Sequence, residues 1–178
     1  DEKIIDPACG SGGFLVEALR HVWRAVDERG QSLGWPEREI DSEKQKVAID
    51  KFRGIDKDAF LSKVAKSYMA ILGDGRGGVF CENSLDQPKN WDRRAREGVQ
   101  MGSFDVVITN PPFGKKLAIE SEEMLKTFDL GHEWKSEKGG PFTKGDRALP
   151  GHQAEGDHEL GEPSLAVRPR NQERRSGW

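Results

Sequence analysis

Short apolar runs and stretches of helical period alternate along the first two thirds of the chain. Lys3-Ile4-Ile5 runs into Asp6 as the end of a strand, and Leu15, Val16, Leu19 and Val22 recur at helical spacing between Gly13 and Trp23. A second helical run is expected around Ser42 to Asp50, followed by a strand Phe52 to Asp56 and a helix from Ala59 to Leu72, with Gly73 as its stop. Next come a strand Gly78 to Cys81, a polar, charge-rich loop from Gln87 to Gly102, and an apolar strand Phe104 to Ile108. Strands alternating with helices predict an α/β fold on a mostly parallel sheet. After Pro112 the sequence changes character, and neither a further strand nor a core helix is expected there. From Ala148 to Trp178, Gly, Pro, Arg and Glu scatter without a period, so residues 148–178 are expected to form an unstructured tail on a domain of residues 1–147.

Composition narrows the classes. A length of 178 residues suits one domain with a real core. The net charge of -3 offers no global attraction to nucleic acid, so any DNA contact needs a local patch or a partner protein. Cys9 and Cys81 lack the paired spacing of a zinc site or redox pair, and neither metal nor disulfide is expected. No apolar stretch is long enough to span a bilayer and the first residues carry no basic-then-apolar signal, which predicts a cytoplasmic protein without a membrane partner.

Candidate chemistry collects where the strands end. In "DPACGSGGF", Asp6 to Phe14, glycines sit where a strand turns tightly into a helix, so a ligand can approach the backbone and face the helix N-terminus. A Walker loop needs Gly-Lys-Ser/Thr, and the dinucleotide fingerprint needs Gly where Leu15 stands; both are excluded. An acid at position 6 repels a pyrophosphate but attracts the ammonium of an amino-acid moiety. Asp56, closing the next strand, can accept from both hydroxyls of a ribose, and Asn83 in Glu82-Asn83-Ser84-Leu85 can accept from an adenine amine and donate to a ring nitrogen. Amino acid, ribose and adenine together describe S-adenosylmethionine. Taken singly, these residues have plain structural alternatives: Asp6 as a turn cap, Asp56 as a solvated acid, the glycines as hinges.

The run "TNPPFG", Thr109 to Gly114, ends the fourth strand. Asn110 and the Pro111 carbonyl can present two acceptors to one point, while Pro111 and Pro112 fix φ and remove two N–H donors. Two such acceptors suit an exocyclic amine: they bind both its hydrogens and free its lone pair for in-line attack on a methyl sulfonium. Phe113 offers a ring for an extruded base, worth about 1–3 kcal/mol by stacking against an extrusion cost of a few. A proline-stopped strand is the structural alternative.

"DPACGSGGF" together with "NPPFG" resembles the amino-methyltransferases that act on DNA adenine, and specifically the modification subunit of type I restriction-modification systems. The resemblance covers Asp1 to about Arg147, including "LVEALRH" and "LGHEWKSEKGGPFTKGDR". It implies a Rossmann-like S-adenosylmethionine-dependent fold, here expected to lack its later strands, and transfer of a methyl group to the N6 amine of a flipped adenine. It further implies that Asp6, Ala8, Gly10 and Gly12 serve the methionine end of the cofactor, Asp56 the ribose and Asn83 the adenine, with Cys9, Ser11, Phe14, Lys57, Ser84 and Leu85 in the same site. Asn110, Pro111, Pro112 and Phe113 would form the amine-activating site. Implied partners are double-stranded DNA, a specificity subunit that selects the target and, where one accompanies it, a restriction subunit. The pattern departs from the family in beginning at the first strand and in losing resemblance near Arg147 or Ala148, where a frameshift is suspected. Alternatives are methylation of a protein glutamine amide, whose enzymes usually carry Tyr at the position of Phe113, and an inert truncated module.

Overall fold

The computed structural model describes residues 2–73, 77–112, 121–136 and 141–148. The chain divides at Pro111/Pro112 into two units, taken separately below.

In the first unit, strand β1 (Ile4–Asp6) leads through a glycine turn into helix α1 (Gly13–Ser32), and α2 (Glu37–Lys51) runs directly into β2 (Phe52–Asp56). Helix α3 (Ala59–Ile71), strand β3 (Val79–Cys81), a 3₁₀ turn (Pro88–Asn90), helix α4 (Arg93–Gly98) and strand β4 (Val106–Val107) follow. All three strand pairings are parallel and the order is β3-β2-β1-β4, so the chain starts mid-sheet, builds outward to β3 and then crosses back to the far side of β1. This is the doubly wound arrangement, with a reversal of direction between β1 and β4.

The period-2 alternation along the strands splits the core into two. Ile4, Phe52, Val79 and Val106 point to one face, under Leu15, Val16 and Leu19 of α1, Ala48 of α2, and Ala65 and Met69 of α3. Ile5, Ile55, Phe80 and Val107 point to the other, under Trp91, Ala95 and Val99. Leu15 and Leu19 are fully buried, each contributing roughly 1.5–3 kcal/mol.

Gly54 sets the distance between α1 and the sheet. A Cβ there would lie 2.7 Å from Leu15 Cδ1 and 3.1 Å from Cys9 Sγ, both in the closed core. Gly54→Ala is therefore expected to destabilise the protein by about 1–3 kcal/mol, the usual cost of overpacking, measured by urea denaturation. A wild-type midpoint would mean that Leu15 can move aside freely.

Several expectations need correction. The Gln87–Gly102 stretch is not simply a loop: Asp92 Oδ1 caps α4 by accepting from Ala95 N–H at 2.7 Å, and Trp91, Ala95 and Val99 recur every four residues on a buried face. Interspersed arginines hid that spacing. Helices α1 and α2 extend beyond the expected Gly13–Trp23 and Ser42–Asp50, while the fourth strand shrinks to Val106–Val107, although Ile108 N–H still bonds to Ile5 O at 3.0 Å.

The second unit contains strands where none was expected. Helix α5 (Glu122–Leu125), capped by Ser121, and a 3₁₀ turn (Asp129–Gly131) precede an antiparallel hairpin of β5 (His132–Ser136) and β6 (Phe142–Ala148). The buried His132 ring anchors it, with its two nitrogens each 3.0 Å from a carbonyl, of Gly145 and of Lys126. Apart from His132, the side chains of β5 from Trp134 on are exposed, as are Phe142, Thr143 and Lys144, so no apolar alternation marked the hairpin. Of the expected tail, residues 148–178, Ala148 instead ends β6, and residues 149–178 lie outside the described residues.

Candidate functional site

Three parallel strands end in polar groups on the same edge: Asp6 on β1, Asp56 on β2 and Thr109-Asn110 just past β4. The loop after β1 is fastened to β2 twice. Cys9 N–H donates to Ile55 O at 2.9 Å, and Gly10 N–H donates to Asp56 Oδ2 at 2.8 Å. The second Asp56 oxygen accepts from Asp58 N–H at 2.8 Å, so one carboxylate organises both the glycine loop and the start of α3.

The loop needs its glycines for two different reasons. Gly10 and Gly12 have φ of 53° and 89°, in the left-handed region that penalises a side chain. Gly12 also packs against α3, where an added Cβ would lie 3.1 Å from Ala65 Cβ. A Cβ on Gly10 or Gly13, by contrast, would meet no atom within 4 Å, so open space adjoins the loop. Helix α1 begins there without a side-chain cap and without an acid in its first turn, whereas Asp58, Asp92 and Ser121 cap α3, α4 and α5, and α2 starts with Glu37 and Glu39. Among the described α-helices α1 alone lacks both, so its first-turn N–H groups have no side-chain partner at its start.

Asp6 is 1% exposed and accepts from Ala8 N–H at 3.1 Å through Oδ1. Burial pushes its pKa above the ordinary carboxylate value and the nearby Asp56 charge adds to the rise, while the Ala8 N–H and the adjacent Thr109 hydroxyl pull it down. Burial beside the same two acids pushes the Cys9 thiol up to about 12, so it stays neutral and unreactive. Two carboxylates whose charges act on each other favour a cation beside them.

Asn83 stands just beyond β3, where Glu82 N–H donates to Asp56 O at 3.1 Å. Its side-chain oxygen turns back to accept from Leu85 N–H at 3.2 Å, which takes up the acceptor expected for an adenine amine, and its amide nitrogen remains available to donate. The Trp91 indole donates to Asn83 O at 3.0 Å and Glu82 Oε1 accepts from Asp92 N–H at 2.8 Å, so α4 braces this turn. Ser84 and Leu85 are half-buried, Ser11 and Lys57 exposed, and Phe14 is half-exposed at the start of α1. Asn110 is exposed, Pro111 half-buried and Pro112 exposed; Phe113 lies outside the described residues.

One residue here escaped the sequence reading. Thr109 Oγ1 is buried and, among the described residues, is the one buried side-chain polar atom without a hydrogen-bond partner. It lies close enough to Asp6 to influence that carboxyl, yet the two do not form a directed hydrogen bond.

The chain is thus a doubly wound sheet with a glycine loop after its first strand, an acid ending each of the first two and an Asn-Pro-Pro run after the fourth, and in open α/β sheets ligands bind at such a reversal of strand order. The chain belongs to the N-6 DNA methylase family, whose model matches residues 1–148. It is 30% identical over 115 residues to the type I restriction enzyme EcoEI methylase subunit of Escherichia coli, covering 64% of this chain and 19% of that protein. It is 26% identical over 112 residues to the type II restriction enzyme and methyltransferase RM.BcgI of Heyndrickxia coagulans, covering 63% and 15%. Among solved structures, it is similar to a modification subunit of a putative type I restriction enzyme from Vibrio vulnificus, with 30% identity, a TM-score of 0.46, and coverage of 71% of this chain and 22% of that one. The chain thus spans at most about a fifth of the length of these relatives. Among the described residues no helix is long and apolar enough to cross a membrane.

Proposed function

We propose that this chain forms the cofactor- and amine-binding part of a DNA adenine-N6 methyltransferase, the modification subunit of a cytoplasmic type I restriction-modification system. The observation that carries this reading is the 2.8 Å bond from Gly10 N–H to Asp56, which ties the glycine loop of one strand to the acid of the next, at the same end of the sheet as the Asn110-Pro111 turn.

The residues fit S-adenosylmethionine on three counts. Open space adjoins Gly10 and Gly13, the uncapped start of α1 suits a carboxylate, and Asp6 with Asp56 suits a ligand bearing positive charge. When bound, the cofactor supplies an electrophilic methyl group on a sulfonium. Asp6 would accept from the amino-acid ammonium, with Ala8, Cys9, Gly10, Ser11, Gly12 and Phe14 forming the wall of that end. Asp56 keeps acceptor lone pairs for ribose hydroxyls beyond its two backbone bonds, with Lys57 beside it. The Asn83 amide nitrogen would donate to the adenine ring, beside Ser84 and Leu85.

For the reacting group, Asn110 Oδ1 and the Pro111 carbonyl would accept from the two hydrogens of the target amine, and Pro112 stiffens the turn that carries them. Phe113 would stack on the extruded base. With a net charge of -3, duplex DNA contact and target choice fall largely to a specificity subunit, with which a restriction subunit can assemble.

The test is methyl transfer from labelled S-adenosylmethionine to duplex DNA in the presence of the cognate specificity subunit, with digestion to nucleosides. Label in N6-methyladenine is expected. Label in methylglutamine of added protein, or in RNA with none in DNA, would overturn the assignment.

A further inference from the structure

Of Asp6, Asp56 and Asn83, the last has the least support from the sheet. β1 lies between β2 and β4, and β2 between β1 and β3, whereas β3 pairs with β2 alone. After the bond from Glu82 N–H to Asp56 O at 3.1 Å the chain leaves the sheet, and what holds the next turn comes from the segment that opens α4. Asn83 O accepts twice, from Asp86 N–H at 3.0 Å and from the Trp91 indole at 3.0 Å, and Glu82 Oε1 accepts from Asp92 N–H at 2.8 Å. The far end of α4 is fixed separately: Arg53 Nε on β2 donates to Gly98 O at 3.0 Å, and Gly98 lies so close to Phe80 that an added Cβ would strike the ring. A six-residue helix is marginal by itself, so these ties at its two ends decide where it sits.

We propose that α4 is a strut for the adenine end of the cleft, with Trp91 as the positioning residue that holds the Asn83 main chain and Glu82 as the second tie. The inference rests on the reading of the cleft as an S-adenosylmethionine site with Asn83 at the adenine. Because Asn83 Oδ1 is bound to Leu85 N–H, its side chain is locked to its own turn, and its amide donors point wherever the main chain is held. Trp91 is 5% exposed and packs with Ile55, Phe80, Ala95 and Val99, so it acts on the cofactor through Asn83 from inside the core. A donor fixed before binding costs no ordering when the ligand arrives.

A tryptophan that only filled the core would affect stability alone, or affinity independently of Asn83. A tryptophan that positions Asn83 matters only while the Asn83 amide is there to be aimed. The two roles are separated by a double-mutant cycle, in which residues acting through one contact give losses that do not add.

S-adenosylmethionine affinity is measured by calorimetry for wild type, Trp91→Phe, Asn83→Ala and the double variant, with urea denaturation of each free protein alongside. Phe keeps an aromatic ring in the core and removes the donor. Trp91→Phe is expected to lower affinity roughly 3- to 10-fold, the scale of one neutral hydrogen bond, and to lower it by less than about twofold where Asn83 is already Ala. Glu82→Ala cuts the second tie without opening the core and is expected to show the same dependence on Asn83, while Glu82→Gln, which keeps the acceptor oxygen, follows wild type. Wild-type affinity in Trp91→Phe, or losses that add in the cycle, overturns the positioning role. Should Trp91→Phe fail to fold, the cycle of Glu82→Ala with Asn83→Ala decides: a coupled loss supports the strut, and an additive loss or none overturns it. Absence of cofactor binding by wild type, or wild-type affinity in Asn83→Ala, instead brings down the underlying assignment of the cleft or of its adenine end, and the positioning role with it.

Discussion

Asp56→Ala is expected to lower S-adenosylmethionine affinity by at least about 100-fold and to loosen the glycine loop in the free protein. Its two oxygens hold Gly10 N–H and Asp58 N–H, each at 2.8 Å, and hydrogen bonds to a charged group are worth about 1.5–3 kcal/mol apiece. Truncation removes both, in addition to any ribose contact, so the loss of preorganisation compounds the loss of the contact. Calorimetric titration gives the affinity, and amide exchange reports the loop: Gly10 N–H, protected by Asp56 in wild type, should exchange faster in the variant. Asp56→Asn keeps one acceptor oxygen and should fall between the two. Wild-type affinity together with unchanged Gly10 exchange in Asp56→Ala would show that the loop is held without Asp56 and that the ribose site lies elsewhere. Retained affinity with faster Gly10 exchange would separate the two roles, leaving Asp56 as a purely structural tie.

The dual duty of Asp56 also explains why the cleft was readable from the sequence only in outline. Alternating short apolar runs placed β1, β2 and β3 correctly because their residues are buried on both faces, and each run ends at a charged or polar residue. The order of the strands in space could not be read from that pattern; it follows from α/β winding and is seen only in the pairing of β1 with both β2 and β4. Polar elements were missed for a common reason. Helix α4 buries Ala95 and leaves Arg93, Arg94, Arg96 and Glu97 to solvent, and β5 and β6 pair through backbone with few buried side chains. Hydropathy cannot mark elements held mainly by caps and ladders.

The site shows the same division. Residue types that chemistry demands, the two acids, the glycines and the Asn-Pro-Pro turn, were legible, and their backbone partners were not. That Trp91 braces Asn83 from eight residues away and that Thr109 Oγ1 is buried both depend on how separate segments approach one another. The loop residues that favour left-handed backbone were the most dependable guide, because Gly10 and Gly12 report a local constraint that tertiary context does not override.

Asn110→Ala should separate chemistry from binding. The side chain is exposed and no described residue hydrogen-bonds it, so its removal leaves the fold and the cofactor end of the cleft intact. On the proposed mechanism it removes one of two acceptors that hold the amine hydrogens, an interaction that strengthens only as the nitrogen attacks. Loss of a single preorganised group of this kind costs about 10²–10³ in rate. Single-turnover methyl transfer to DNA should therefore fall by that factor or more, while S-adenosylmethionine affinity stays within about twofold of wild type, the pattern of an interaction made in the transition state alone. The pairing with Asp56→Ala gives the result its force: one variant loses affinity first and the other rate first, although both residues lie at the same end of one sheet, with β1 between their strands. Equal loss of cofactor affinity in both would mean that Asn110 supports the cofactor rather than the amine. Unchanged transfer in Asn110→Ala would leave the Asn-Pro-Pro turn as a proline-stopped strand end and remove amine activation from this site.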